Sequence, residues 1–196
     1  MTLLSEVAIR KRLERGDLVI DPAPRPEHFD SDSVEVHLGD SVYTWKAPAG
    51  GAVLSVPFWK RKEEGGFSYR LFAKEHLVRV EPDPDGIVTM RPRTFYLADL
   101  RQRTELPNDL AMHVQGKSSL ARLGLAVHIT APHAHAGWSG RLTLEMYNFG
   151  PFNLELKPDI AIGQLTFWSV EDPPEEVAPK TFSDQDQASG AGPGKS

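Results

Sequence analysis

Cysteine is missing from all 196 residues. No disulfide can staple the chain, and the Pro-Cys-x-x-Cys zinc ligand set is excluded. Long apolar runs are missing as well. Nothing approaches the ~18 apolar residues of a membrane-crossing helix, so no membrane partner is expected. The opening stretch "MTLLSEVAIRKRLERG" places its charges after its apolar residues, unlike a signal peptide, and a cytoplasmic location is the expectation. There is no basic excess either: the net charge is −5 and the pI near 5.8. Proteins that coat nucleic acid carry surplus lysine and arginine, so nucleic acid is not an expected partner. A small anion held by a few local cations remains open. No internal repeat is found.

What is present supports one core. Hydrophobic residues make up 40% of the chain, enough for a single domain of this length. "SEVAIRKRLERG" predicts a helix capped by Ser5, striped by Val7, Ile9 and Leu13, and ended by Gly16. "DLVIDP" predicts a short strand. "SVEVHLGDSVYTW" alternates at Val34, Val36, Leu38 and Val42, with a turn expected at Gly39-Asp40. Residues 46–86 are assigned no element: they carry turn punctuation, and only their charged cluster from Lys60 to Glu64 is read, as a solvated loop. After "EPDPDG" come brief β-rich runs separated by Gly, Pro and Asn turns: "IVTMRPRTFYLADL", "LAMHVQG", "LAVHITA", "RLTLEMYNFG", "FNLELKP" and "AIGQLTFWSV". That spacing predicts an all-β barrel or sandwich. Residues 1–172 are expected to form the domain. Residues 173–196, acidic then Gly/Ser-rich, are expected to form a flexible tail.

Three stretches carry candidate chemistry. "GKSSLARLG" (residues 116–124) offers a lysine, two hydroxyls and an arginine between glycines. It is not a P-loop: the first glycine would fall at 111, which is Ala111, and no strand-turn-helix context surrounds it. A polar turn is the simpler alternative. "PHAHAGWSG" puts His133 and His135 on one face of a strand, and with His128 and Glu145 they could gather a divalent ion. The spacing departs from cupin-like ligand sets, since Val127 stands where such a set has glycine. In "RLTLEMYN", alternation places Leu142, Leu144 and Met146 on one face and Arg141, Thr143 and Glu145 on the other.

Taken in order, these stretches resemble the dCTP deaminase branch of the trimeric dUTPase-like superfamily. The family's phosphate loop reads Gly-Arg-Ser-Ser-x-x-x-Arg-x-Gly, matched by Gly116, Ser118, Ser119, Arg122 and Gly124. Its His-x-Thr-Ala stretch is matched by His128, Thr130 and Ala131. Its Asp-Pro-Gly-aromatic-x-Gly turn is matched by Gly137, Trp138 and Gly140, and its Thr-Leu-Glu strand by Thr143, Leu144 and Glu145. Pro158, Ile162, Gly163 and Gln164 match the closing strands. "IRKRLERGDLVIDP" and "SDSVEVHLGD" look like the opening helix and first long strand, so the resemblance covers roughly residues 3–170.

The resemblance implies a dUTPase-like distorted β-barrel or jelly-roll with a short N-terminal helix, forming a homotrimer with active sites between subunits. It implies dCTP as the nucleotide, dUTP and ammonia as products, and Mg²⁺ carried by the triphosphate, with no protein-bound metal or organic cofactor. Lys117, Ser118, Ser119 and Arg122 would hold the triphosphate in a β-turn. The Ala131 carbonyl and the Glu145 carboxylate would position a water beside C4 of cytosine. Thr143, Leu144 and Glu145 would meet the base edge. The tail would close as a lid, with Gln185 on a phosphate and Phe182 in the aromatic position. Two departures stand out. Lys117 replaces arginine and loses its bidentate fork. His135 replaces the aspartate that faces the sugar and, in the hydrolytic members, orients water toward phosphorus. Glu35, one methylene longer than the family's aspartate, is read as structural. The alternatives are a bifunctional dCTP deaminase/dUTP pyrophosphatase forming dUMP, and a nucleotide-binding protein retuned to a different cytidine nucleotide.

Overall fold

The computed structural model describes residues 2–60, 66–176 and 184–185. Helix α1 (Glu6–Arg15) begins where the Ser5 hydroxyl accepts from the Ala8 N–H (3.4 Å) and ends at Gly16. Its buried face is Ile9, with Leu13 packed beside it. Val7 is 60% exposed, two residues from Ile9 and so on the opposite side of the helix, which narrows the expected stripe.

The rest is mostly strand, as the turn spacing predicts. The strands are β1 (Val19–Asp21), β2 (Phe29–Asp30), β3 (Ser33–Trp45), β4 (Leu77–Arg79), β5 (Val88–Met90), β6 (Phe95–Glu105) and β7 (Leu110–Gly116). Then follow β8 (Leu125–Ala126), β9 (His133–Ala134), β10 (Ser139–Asn148), β11 (Leu154–Leu156) and β12 (Ala161–Ser169). The main sheet runs β8-β10-β6-β3-β12-β7-β9, with β1 beside β6 and β2 and β4 beside β3, while β11 pairs with β5. All pairings are antiparallel.

Strand β3 closes the architecture. Its first half pairs with β12 and its second half with β6, so one strand serves both faces of a curled sheet. Val34, Val36, Leu38 and Val42 are all buried, as their alternation predicts. The turn expected at Gly39-Asp40 is instead a register shift between Leu38 and Val42 inside a continuous strand. Gly39 permits it: a Cβ there would sit 2.8 Å from the Asp99 carbonyl oxygen on β6. The core between the faces holds Leu100, Met112, Leu144, Met146, Leu165 and Phe167, among others.

Within residues 46–86, to which the sequence assigned no element, Tyr69–His76 form helix α2, whose aromatic residues pack against Trp45. The charged cluster after Lys60 lies outside the described residues. The "GKSS" stretch is one helical turn, α3 (Ser118–Ala121), rather than a β-turn. "LAVHITA" supplies only the two-residue β8 before leaving the sheet. No helix among the described residues is long and apolar enough to cross a membrane.

Candidate functional site

Strand β10 pairs with β6 along most of its length and with β8 at Tyr147 and Asn148. Its alternation sends Leu144 and Met146 into the core and Thr143 and Glu145 to the other face. Opposite them on β6 stand Asp99 and Leu97. A register shift between Arg141 and Thr143 breaks the alternation at Leu142, which packs against the core and also lines the same cavity as Thr143.

That cavity has a volume of about 570 Å³. Glu145, Ala131, His135, Thr143 and Gln185 all line it. The Glu145 side chain is 29% exposed, so it is neither a solvent-facing strand residue nor a sealed one. Its Oε2 accepts from the Thr130 hydroxyl (3.1 Å) and the Thr130 N–H (3.4 Å). Only Oε2 is engaged among the described residues, which leaves Oε1 available to a ligand or water.

His128, named from the sequence only as a metal candidate and a family match, is a direct neighbour of Glu145. Its side chain is 4% exposed, and its Nδ1 accepts the Glu145 N–H at 3.4 Å. A neutral imidazole that accepts at Nδ1 carries its proton on Nε2. Nε2 lies 4.0 Å from Glu145 Oε2 and has no hydrogen-bond partner among the described residues. A buried donor is thus held beside the carboxylate. The signal was the His-x-Thr-Ala stretch, which puts Thr130 and His128 on the same short segment.

Much of the rest of the lining is aromatic: Trp45, Tyr69, Phe95 and Trp138. Tyr69 comes from α2, in the segment to which the sequence assigned no element. Burial, then the charges of Glu145 and Asp99, raise its phenol above the ordinary value. At the rim, His113 on β7 faces His133 on β9, with His113 Nε2 2.8 Å from His133 Nδ1. His135 stacks edge-on against His133 with centroids 4.7 Å apart. Burial, then the charges of His135 and His113, hold His133 below the ordinary imidazole value. The four ligands of the metal alternative (His128, His133, His135, Glu145) do not form a set whose donor atoms converge.

The phosphate-loop residues are elsewhere in the chain. Ser118, Ser119 and Arg122 are exposed on α3 and its end, and none of them lines the Glu145 cavity. Lys117 is paired with Glu35 of β3. The turn is welded to the far end of β10: a Cβ on Gly124 would lie 2.3 Å from the Gly150 nitrogen, and one on Gly150 2.3 Å from the Leu123 oxygen. Leu144 contributes backbone only, its side chain being fully buried. Gln185 bridges to Gly140, accepts the Arg141 N–H on its carbonyl (2.9 Å), and donates its amide to the Arg141 carbonyl (3.1 Å) and the Thr143 hydroxyl (3.2 Å). Its amide nitrogen is therefore occupied by β10 in the single chain. Phe182 lies outside the described residues.

Residues 3–170 match the family model described as dCTP deaminase-like. Among curated proteins, the dUMP-forming dCTP deaminase of Methanobrevibacter smithii is 31% identical over 175 residues, covering 89% of this chain and 84% of the relative. The dCTP deaminase of Rhodospirillum rubrum is 35% identical over 170 residues, covering 87% and 84%. Among solved structures, the 2'-deoxycytidine 5'-triphosphate deaminase from Agrobacterium tumefaciens superimposes with a TM-score of 0.59 at 19% identity. That superposition covers 84% of this chain and 47% of the other, so the chain spans about half its length and shares its fold. From the matched span, and from full-length relatives above 30% identity, the chain belongs to the dCTP deaminase-like family.

Proposed function

We propose that the protein hydrolyses dCTP to dUTP and ammonia, with Glu145 as the acid/base. One observation carries this reading. Glu145 stands on a strand, paired with Leu97 of β6, in a cavity, with one oxygen held by Thr130 and the other available. Deamination needs a proton removed from water as oxygen attacks C4, delivered to N3, and a proton given to the departing ammonia. A carboxylate that reaches both places performs every transfer. Ala131, on the same cavity, supplies the second acceptor that would fix the water. The buried His128 Nε2 lies 4.0 Å from Oε2, on the side away from the free oxygen that carries the proton. Thr143 and the Leu144 backbone meet the base edge.

The triphosphate, with Mg²⁺ bound by its own oxygens, sits on Ser118, Ser119 and Arg122. These residues do not line the cavity of their own chain. A homotrimer in which one subunit's turn reaches its neighbour's cavity brings them together. The tail around Gln185, already docked on β10, closes the site.

The dUMP-forming alternative has support from the Methanobrevibacter smithii relative. Against it stands His135 on the cavity wall, an imidazole where pyrophosphate release calls for a carboxylate. Product analysis decides. Phosphorus NMR of a dCTP reaction should show dUTP accumulating with its triphosphate intact. dUMP and pyrophosphate appearing with no dUTP intermediate would establish the bifunctional reading. Turnover of CTP or a modified cytidine nucleotide in place of dCTP would mean that His135 marks a change of substrate.

A further inference from the structure

A buried polar chain leads from β6 to the start of α3. The His37 N–H donates to Gln102 Oε1 at 3.0 Å. This fixes the amide's orientation, since the reverse would face two donors together. Gln102 Nε2 therefore donates to His37 Nδ1, also at 3.0 Å. With Nδ1 accepting, the imidazole proton is on Nε2, which lies 3.7 Å from Glu35 Oε1. Burial, then the charge of His28, hold His37 below the ordinary imidazole value, so the ring remains a neutral donor. Gln102 is 4% exposed and His37 8%, so both are framework groups. The second Glu35 oxygen takes the Lys117 ammonium. The Lys117 carbonyl in turn accepts the N–H groups of Leu120 (3.1 Å) and Ala121 (3.0 Å), which makes Lys117 the residue on which the turn is built.

His28, Glu35 and His37 bring donor atoms within 4.8 Å of one another. Their lone pairs do not converge on a cation. His37 Nε2 carries a proton, and His28 Nε2 is met by the Arg25 guanidinium at 3.0 and 3.2 Å. The cluster's outlet is Lys117.

We propose that Lys117 is a positioning residue rather than a phosphate ligand: Glu35, oriented by His37 and Gln102, holds its ammonium and so sets the turn that presents Ser118, Ser119 and Arg122. This rests on the reading of the turn as the triphosphate grip. It explains how lysine serves in place of arginine. One carboxylate oxygen needs one ammonium, whereas a forked phosphate contact would favour the guanidinium.

Glu35→Gln separates the two roles by sign. If Lys117 were a phosphate ligand restrained by Glu35, removing the carboxylate charge would free the ammonium, and KM for dCTP would fall. If Glu35 positions the turn, KM rises by about tenfold, with a smaller change in kcat. Lys117→Met should raise KM to a similar extent. The double variant should be no worse than either alone, because both break one link. Lys117→Arg, which keeps the pair with Glu35, should restore most of the affinity. A lowered KM in Glu35→Gln, or additive losses in the double variant, overturns the proposal. If Glu35→Gln does not fold, Gln102→Met tests the same chain from its buried end: raised KM supports the proposal, and wild-type KM in a folded protein overturns it. Arg122→Ala checks the underlying reading separately. By calorimetry it should weaken dCTP binding and spare deoxycytidine binding. Equal losses would refute the phosphate grip whatever Glu35 does.

Discussion

The Glu145 cavity and the Lys117–Arg122 turn are built in opposite ways. The cavity has walls: two long paired strands, an aromatic side from Trp45, Tyr69 and Phe95, and a carboxylate already fixed by Thr130. Among the described residues, its lining has no arginine or lysine. The turn has the cations and hydroxyls but no enclosure, with Ser118, Ser119 and Arg122 exposed. Proton transfer needs a group fixed within tenths of an ångström, which a strand provides. Holding a charged triphosphate needs donors that can be approached from outside. Each region is half of what a nucleotide requires, and the proposed trimer joins the halves.

The comparison breaks first at the chemical half. Glu145→Gln should lower deamination by about a thousandfold while leaving fold and nucleotide binding near wild type, because charge changes and size hardly does. Ammonia release, with circular dichroism as the control, measures this, and near-wild-type turnover would remove Glu145 from the acid/base role.

Mixing sharpens it. Glu145→Gln and Arg122→Ala should each be nearly inactive at limiting dCTP. Co-refolded in equal amounts, random trimers would recover about one quarter of wild-type activity, since a site then pairs an intact cavity with an intact neighbouring turn. No recovery would place both halves in one chain.

Next comes the weld between them. Gly150→Ala forces a Cβ onto the Leu123 carbonyl. It should cost about 2–4 kcal/mol of stability and raise KM for dCTP more than it lowers kcat. Denaturant melts and steady-state kinetics check both, and a stable, kinetically normal variant would show that the turn is held some other way.

The smallest effect is the response to acid. His133 and His37 are both held below the ordinary imidazole value of 6.5 in the folded chain. As pH falls through about 6.5, the unfolded chain takes up protons that these rings refuse when folded. Stability is therefore unaffected by them above that value and declines below it, toward their folded values. His133→Gln should flatten part of the decline in melting temperature between about pH 7.5 and 5.5. An identical decline in the variant would clear His133 of any share.

How far the sequence was readable follows from what each feature depends on. Period-2 alternation is local, so β3, β6, β10 and β12 could be seen, and with them the face that carries Glu145. The continuity of β3 through Gly39 was hidden, because the glycine answers to Asp99 on a neighbouring strand rather than to a turn. The wall supplied by Tyr69 was hidden for a similar reason: α2 is short, punctuated by glycines before it, and earns its place by packing on Trp45. The order of site motifs was visible, but not that Lys117 would be taken by Glu35 across 82 residues. Glu35 was read as structural, and its partner could not be named from spacing.

One peptide proton gives this molecule an internal gauge. The Arg141 N–H, two residues before Thr143, is donated across to the Gln185 carbonyl at 2.9 Å. Exchange of that amide with deuterium is slow only while the segment carrying Gln185 lies against β10, whereas the neighbouring amides bonded to β6 are protected by the sheet itself. Following the exchange at position 141 with and without nucleotide therefore measures whether that segment stays on β10 when the site is filled, in a chain that needs no label and no altered residue.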